Sequence, residues 1–201
     1  MINKLITNET PLVICDIGAS PVDPTPFIDE LLKNVECFLY GFEPNEEEFK
    51  KLNSTDKKEY FNYAVGNGQI ETLNICSAPG MTSILEPDFE YLKLFHGFSD
   101  WAKVTKKVKV QTKKLDDVNF DKKIDFLKID VQGYEHEVIK NGNKIIKDCL
   151  IVQLETSPIP LYKNEKSFAH VCLQLENLGF QLHSFNQINT RCFKPVILQN
   201  N

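Results

Sequence analysis

The chain of 201 residues carries a single arginine, Arg191, among its 23 basic side chains. Forked guanidinium clamps cannot be a repeated device here, so a bound phosphate would have to meet backbone amides or lysines. Positive charge is short overall: 28 acidic residues give a formal charge of −5 and a pI near 5.4. That leaves no global cationic field for nucleic acid or an anionic membrane. The six cysteines, Cys15, Cys37, Cys76, Cys149, Cys172 and Cys192, include no close pair of the kind a zinc ribbon or dithiol redox site needs. They read as small buried hydrophobes in a reducing compartment. Met1 to Thr10 has one lysine and no apolar run of signal-peptide length, and no later stretch is long enough to span a bilayer. The expectation is a cytoplasmic protein with neither nucleic-acid nor membrane partners. The first turn, Asp16-Ile17-Gly18-Ala19-Ser20, has one glycine and then prolines, not the three glycines that bring a helix N-terminus against a pyrophosphate.

What the sequence does contain is apolar material, 42% of residues, enough for one compact domain. Short apolar runs alternate with helical spacing. Leu12 to Gly18 reads as a strand buried on both faces, and prolines from Pro21 bar a helix until Phe27. Glu36 to Phe42 is a second strand, followed by a helix from Glu46 to Leu52 with acids in its first turn. Tyr60 to Val65 is a third candidate strand, and Gly66-Asn67-Gly68 turns it into an alternating segment, Ile70 to Cys76, that suggests a hairpin strand. Beyond a less regular stretch with a helix near Phe89 to Phe95, strands are expected at Val108–Thr112, Ile124–Asp130, Leu150–Thr156 and Phe180–Phe185. Helices are expected at Tyr134–Lys140 and Phe168–Leu178. Such repeated units predict an α/β fold with a mostly parallel central sheet covered by helices on both faces, as one domain over residues 1–201.

In open parallel sheets the ligand site lies beyond the carboxyl ends of the strands. Three runs end there in acids, Asp16, Glu43 and Asp130, and Glu155 sits at the end of a fourth. Any one alone reads equally as a loop acid capping a helix; their recurrence at equivalent ends points to a site. Glu43 stands at a spacing from Gly18 that suits a carboxylate accepting from both hydroxyls of a ribose.

Asp16-Ile17-Gly18-Ala19-Ser20, Gly41-Phe42-Glu43-Pro44, Ala64-Val65-Gly66, Leu115-Asp116-Asp117 and Asp125 to Glu135 together resemble the FkbM family of S-adenosylmethionine-dependent methyltransferases. The resemblance runs from about Val13 to Phe185 and is most specific at Gly41–Pro44 and Phe126–Glu135. It implies a Rossmann-like class I methyltransferase fold with a seven-stranded sheet. It also implies S-adenosylmethionine as cofactor and methyl transfer to oxygen of a small-molecule or sugar acceptor. By motif position Asp16, Gly18, Ala19 and Ser20 would line the methionine part, Glu43 with Pro44 the ribose, and Ala64 and Val65 the adenine edge; Asp130 would face the methyl group. Ala78 to Ser83 resembles the loop of a bacterial branch, which makes Met81, Thr82 and Ser83, with Tyr134, the acceptor-side candidates. The prolines after Ser20 and a short C-terminus, where Cys192–Leu198 is the candidate for a closing strand, depart from the pattern. A noncatalytic module that retains the fold is the alternative.

Methyl transfer from a sulfonium is an in-line displacement, so alignment and dryness dominate. A hydroxyl acceptor gains from a base within hydrogen-bond reach. Asp130 is the first choice, with Glu135, His136 and Glu155 as base or orienting candidates, although His136 also reads as a surface residue one turn into a helix. Asp116-Asp117 reads as a loop cap, and no metal is assigned. Six lysines from Lys103 to Lys114 form a local basic run, either a solvated face or an attraction for an anionic acceptor.

Overall fold

A computed structural model of the chain describes residues 11–21, 26–186 and 188–196. Leu12–Ile17 (β1), Cys37–Phe42 (β2), Lys58–Phe61 (β3), Phe126–Ile129 (β7) and Ile151–Leu154 (β8) form one all-parallel sheet in the order β3-β2-β1-β7-β8. Ala64–Val65 (β4), Ile70–Cys76 (β5) and Val104–Lys113 (β6) form a second sheet in the order β4-β6-β5, with β5 and β6 antiparallel. The helices are Pro26–Asn34 (α1), Glu46–Phe49 (α2), Phe89–Leu92 (α3), Phe98–Trp101 (α4), Glu135–Lys140 (α5), Asn143–Asp148 (α6) and Phe168–Asn177 (α7).

Period-two alternation explains how the parallel sheet is covered on both sides. Val13, Cys15 and Ile17 of β1, Tyr40 and Phe42 of β2, and Leu127 and Ile129 of β7 pack with Val138, Ile139, Ile146 and Val171 of α5, α6 and α7. The intervening Ile14, Leu39 and Phe126 pack instead with Ile28 and Leu31 of α1. A strand buried this way is apolar on both faces wherever its side chains have no polar partner, which is why these runs do not alternate in sequence; the exceptions, Asp16 and Lys128, pair with each other. A third cluster, Cys76, Met81, Leu92, Ala102 and Tyr162, lies beneath the irregular stretch after β5.

Several expected boundaries move. The candidate strand Tyr60–Val65 is two strands in two sheets, because the chain leaves β2 after Phe61 and joins β6 at Ala64. Asn62, in the break, donates its side-chain amide to the Glu43 carbonyl at 2.9 Å. The short strand expected at Val108–Thr112 runs from Val104 to Lys113, since β5 offers a partner along most of it. Phe180–Phe185 is not a strand: among the described residues only its Phe180 amide is tied back, to the Leu175 carbonyl, and Leu182 and Phe185 are exposed. Among the described residues the sheets therefore hold five and three strands, not a single seven-stranded sheet. Of the segment expected to close the sheet, Phe193 makes an isolated bridge to Phe95, and Ile197 and Leu198 lie outside the described residues. No described helix is long and apolar enough to cross a membrane.

Candidate active site

The strand order turns back at β1, whose neighbours on its two sides are β2 and β7. Connections leave such a point in opposite directions and open a crevice at the carboxyl ends. A cleft of ≈ 670 Å³, counting its open mouth, lies there. Its polar wall includes Gly18 and Ser20 after β1, Glu43 and Pro44 after β2, and Asp130 after β7; Phe42, Tyr63, Ala64, Val65, Leu73 and Ile84 supply the apolar wall.

Gly18 is at φ +87°, and a Cβ there would sit 1.8 Å from the Asp130 carbonyl oxygen. Only glycine lets the first turn pass this close to the end of β7. Gly41 answers a similar constraint, since its Cβ would meet the Tyr60 ring at 2.4 Å. The two glycines let the acid-bearing strand ends converge.

Beneath the cleft lies a buried charge cluster. Lys128 Nζ is 3.0 Å from Asp16 Oδ1 and 3.3 Å from Asp130 Oδ2, with all three side chains under 10% exposed. Burial opposes the Lys128 charge, but two carboxylates outweigh it and hold its pKa above the ordinary value. Two carboxylates share one ammonium, so one is in excess, and burial pushes Asp16 up to about 6 against the pull of Lys128. Asp130 accepts on its other oxygen from the Gln132 amide at 2.8 Å. Both oxygens are thus oriented, with lone pairs remaining.

The predicted residues fall into two groups. Gly18, Ser20, Glu43, Pro44, Ala64, Val65, Thr82, Ser83 and Asp130 line this one cleft. Asp16 and Ala19 are buried behind it, and Met81 is buried with its carbonyl against the Tyr162 hydroxyl at 3.1 Å. Glu135 is not on the wall: its carboxylate accepts from the Val131 and Gly133 amides at 3.2 and 3.1 Å, pinning the loop after β7. Burial pushes its pKa up to about 7 against those bonds. His136 points toward α7, where Nδ1 meets Gln174 Oε1 at 2.8 Å and its ring lies edge-on to His170. Glu155 is exposed and receives the Gln132 amide at 3.2 Å. Tyr134 is buried beneath Gly66 and faces a second cavity. Asp116 caps α6 through the Lys144 and Ile145 amides, both at 3.0 Å, and the described residues contain no cluster of three metal-ligating side chains.

Sequence reasoning passed over two residues that organise the site. Lys128 lies within the apolar run of β7, where a buried lysine between Asp16 and Asp130 in sequence pattern is the available signal. Gln132 adopts φ 54°, uncommon for a residue with a Cβ. It bonds Asp130 and Glu155 through its amide, accepts from the Ser83 hydroxyl on its backbone carbonyl at 2.7 Å, and meets the Tyr162 hydroxyl at 3.2 Å.

The family described as the methyltransferase FkbM domain matches residues 16–182 of the chain. Comparison with curated proteins and with solved structures finds no match.

Proposed function

Because the chain belongs to the FkbM methyltransferase domain family, we propose that this methyltransferase domain uses S-adenosylmethionine and methylates a hydroxyl oxygen of a small molecule or sugar. The observation that carries the reading is the convergence of Gly18, Glu43 and Asp130, from three different strands, on one cleft at the point where the strand order reverses.

The donor set fits the cofactor. Glu43 offers a carboxylate for a ribose diol, already held on one oxygen by the Asn45 amide at 2.7 Å. Pro44 and Ala64 with Val65 give flat apolar surface for a purine, and the glycine turn leaves room for backbone approach at the other end. When bound, the cofactor supplies a methyl group on a sulfonium sulfur. The chain's own task is positioning: Asp130, oriented by Lys128 and Gln132, accepts the acceptor's hydroxyl hydrogen bond and takes its proton as the oxygen attacks. Thr82 and Ser83 line the same cleft, with Ser83 tied to the Gln132 carbonyl, and narrow the access of water to it. Glu135, His136 and Glu155 act, in this reading, through the loop and helix they brace.

Calorimetry with S-adenosylmethionine tests it. Saturable binding is expected, weakened at least about tenfold by Glu43→Ala through the loss of a charge-assisted bond to the diol. Absence of binding overturns the reading. Acceptor-dependent release of S-adenosylhomocysteine separates the enzyme from a module that only binds.

A further inference from the structure

The buried triad beneath the cleft is out of charge balance. Asp16 and Asp130 share the one ammonium of Lys128, so with both acids ionised the three side chains carry a surplus negative charge. Their neighbours do not cancel it. Among the strongest influences on Asp16 only Lys128 is positive, while Asp130 and Asp29 of α1 add charge of the same sign as its own. Tyr60, which also feels Asp16, is kept neutral, its hydroxyl pushed above the ordinary value by burial and by that acid. Around Asp130 stand the neutral Gln132 amide and a further acid, Glu135. An unbalanced charge taken out of water is costly, and a ligand of opposite sign relieves that cost.

The cleft wall supplies no compensation. Its charged members are Glu43, Glu48 and Asp130, and no lysine, arginine or histidine of the described residues lines it. Glu48 is matched by Lys51 at 2.7 Å. Of the basic run read in the sequence, Lys107 pairs with Glu86 at 2.7 Å, Lys109 donates to Thr72 at 2.7 Å, and Lys113 lies over the Tyr63 ring of the apolar wall at 4.2 Å. Asp130 is the triad member that lines the cleft, so the surplus charge is presented to whatever binds there.

We infer that this surplus charge makes the cleft select the cationic sulfonium of the methyl donor over the neutral thioether left after transfer, with Asp16 supplying, from behind the wall, the charge that decides the preference. The inference rests on the methyl-transfer reading and deepens it. In the transfer the oxygen–methyl bond forms as the sulfur–methyl bond breaks, the electron pair of the broken bond stays on sulfur, and the hydroxyl proton passes to Asp130. Ligand and triad change together, the one losing its positive charge and the other its surplus negative charge. Release of that proton to solvent restores the charged site, which holds a thioether poorly and an incoming sulfonium well. Product departure and donor binding thus draw on the same carboxylates.

The test is calorimetry on the full chain at pH 8, above the value of about 6 for Asp16, with S-adenosylmethionine and S-adenosylhomocysteine. The two ligands share the nucleoside and the amino-acid ammonium and carboxylate, and differ by one methyl group and one charge. The sulfonium should bind at least about tenfold more tightly. Because the triad is buried, the preference should persist in 0.5 M salt, where attraction by exposed charges is screened. Asp16→Asn leaves Lys128 and Asp130 as a balanced pair and should bring the two Kd values to within about threefold of each other; Asp130→Asn, which leaves Lys128 with Asp16, should do the same and serves if the first variant does not fold. Equal affinities in the parent, a preference abolished by salt, or an undiminished ratio in a folded variant overturns the charge selection while the cofactor reading stands. If neither ligand binds the parent, the cofactor reading itself falls, and this inference with it.

Discussion

The demands on single residues are sharpest where strand ends meet. A methyl group at position 18 would need both a left-handed backbone and space already held by the Asp130 carbonyl. Gly18→Ala should therefore cost about 2–4 kcal/mol in urea unfolding, from strained φ and overpacking together, and should weaken cofactor binding as the cleft distorts. Glu135 makes a different demand. Its carboxyl rises from an ordinary value of 4.5 to about 7 on folding, chiefly through burial, so it is harder to ionise in the folded state than in the unfolded chain. Its contribution to stability is full below pH 4.5 and is lost as the pH rises through 7, a change of about 3 kcal/mol. Glu135→Gln cannot ionise, so its stability relative to the parent should rise by about that amount from pH 4 to pH 8; a constant difference in urea unfolding across that range would show that Glu135 titrates normally. Glu43 and Asp130 were legible as strand-end acids from their positions after apolar runs. The roles of Lys128 and Gln132 were not, because a lysine's partner across the sheet and a glutamine's backbone angle leave no periodic trace in sequence.

At the level of elements, legibility followed how many neighbours a segment needs. Strands β1, β2 and β7, apolar save for the paired Asp16 and Lys128, were recognisable because both of their faces are buried. Tyr60–Val65 looks continuous by the same criterion, yet its halves pair with different strands, a choice made by hydrogen-bonding partners distant in sequence. Phe180–Phe185 has the composition of a strand but no described partner beside it, and without a ladder its β-propensity counts for little. The turn Leu115–Asp117 shows a local reading that held: Asp116 serves the amides of α6, as a cap supplied from another element. Asp116→Ala should destabilise the protein by about 1 kcal/mol, measured by urea unfolding.

Over the whole molecule, the order β3-β2-β1-β7-β8 is what turns scattered acids into one site. A ligand that binds only the folded chain stabilises it by RT ln(1 + [L]/Kd), about 2.7 kcal/mol at a hundredfold excess over Kd. S-adenosylhomocysteine at that excess should raise the unfolding temperature, while NAD and a nucleotide sugar should not; stabilisation by NAD instead would move the cleft to a dinucleotide chemistry. The acidic composition, the alternating strand and helix units and the acids that follow the apolar runs are properties of the sequence itself, because periodicity, charge and chain direction are local and need no partner. Folding alone decided which strand ends meet, that Lys128 bonds Asp130, that Glu135 braces from behind the loop that lines the cleft, and that Lys114 and Lys166 share a groove. Each of those depends on residues tens of positions apart being brought within a few ångströms, which only sheet order and packing specify.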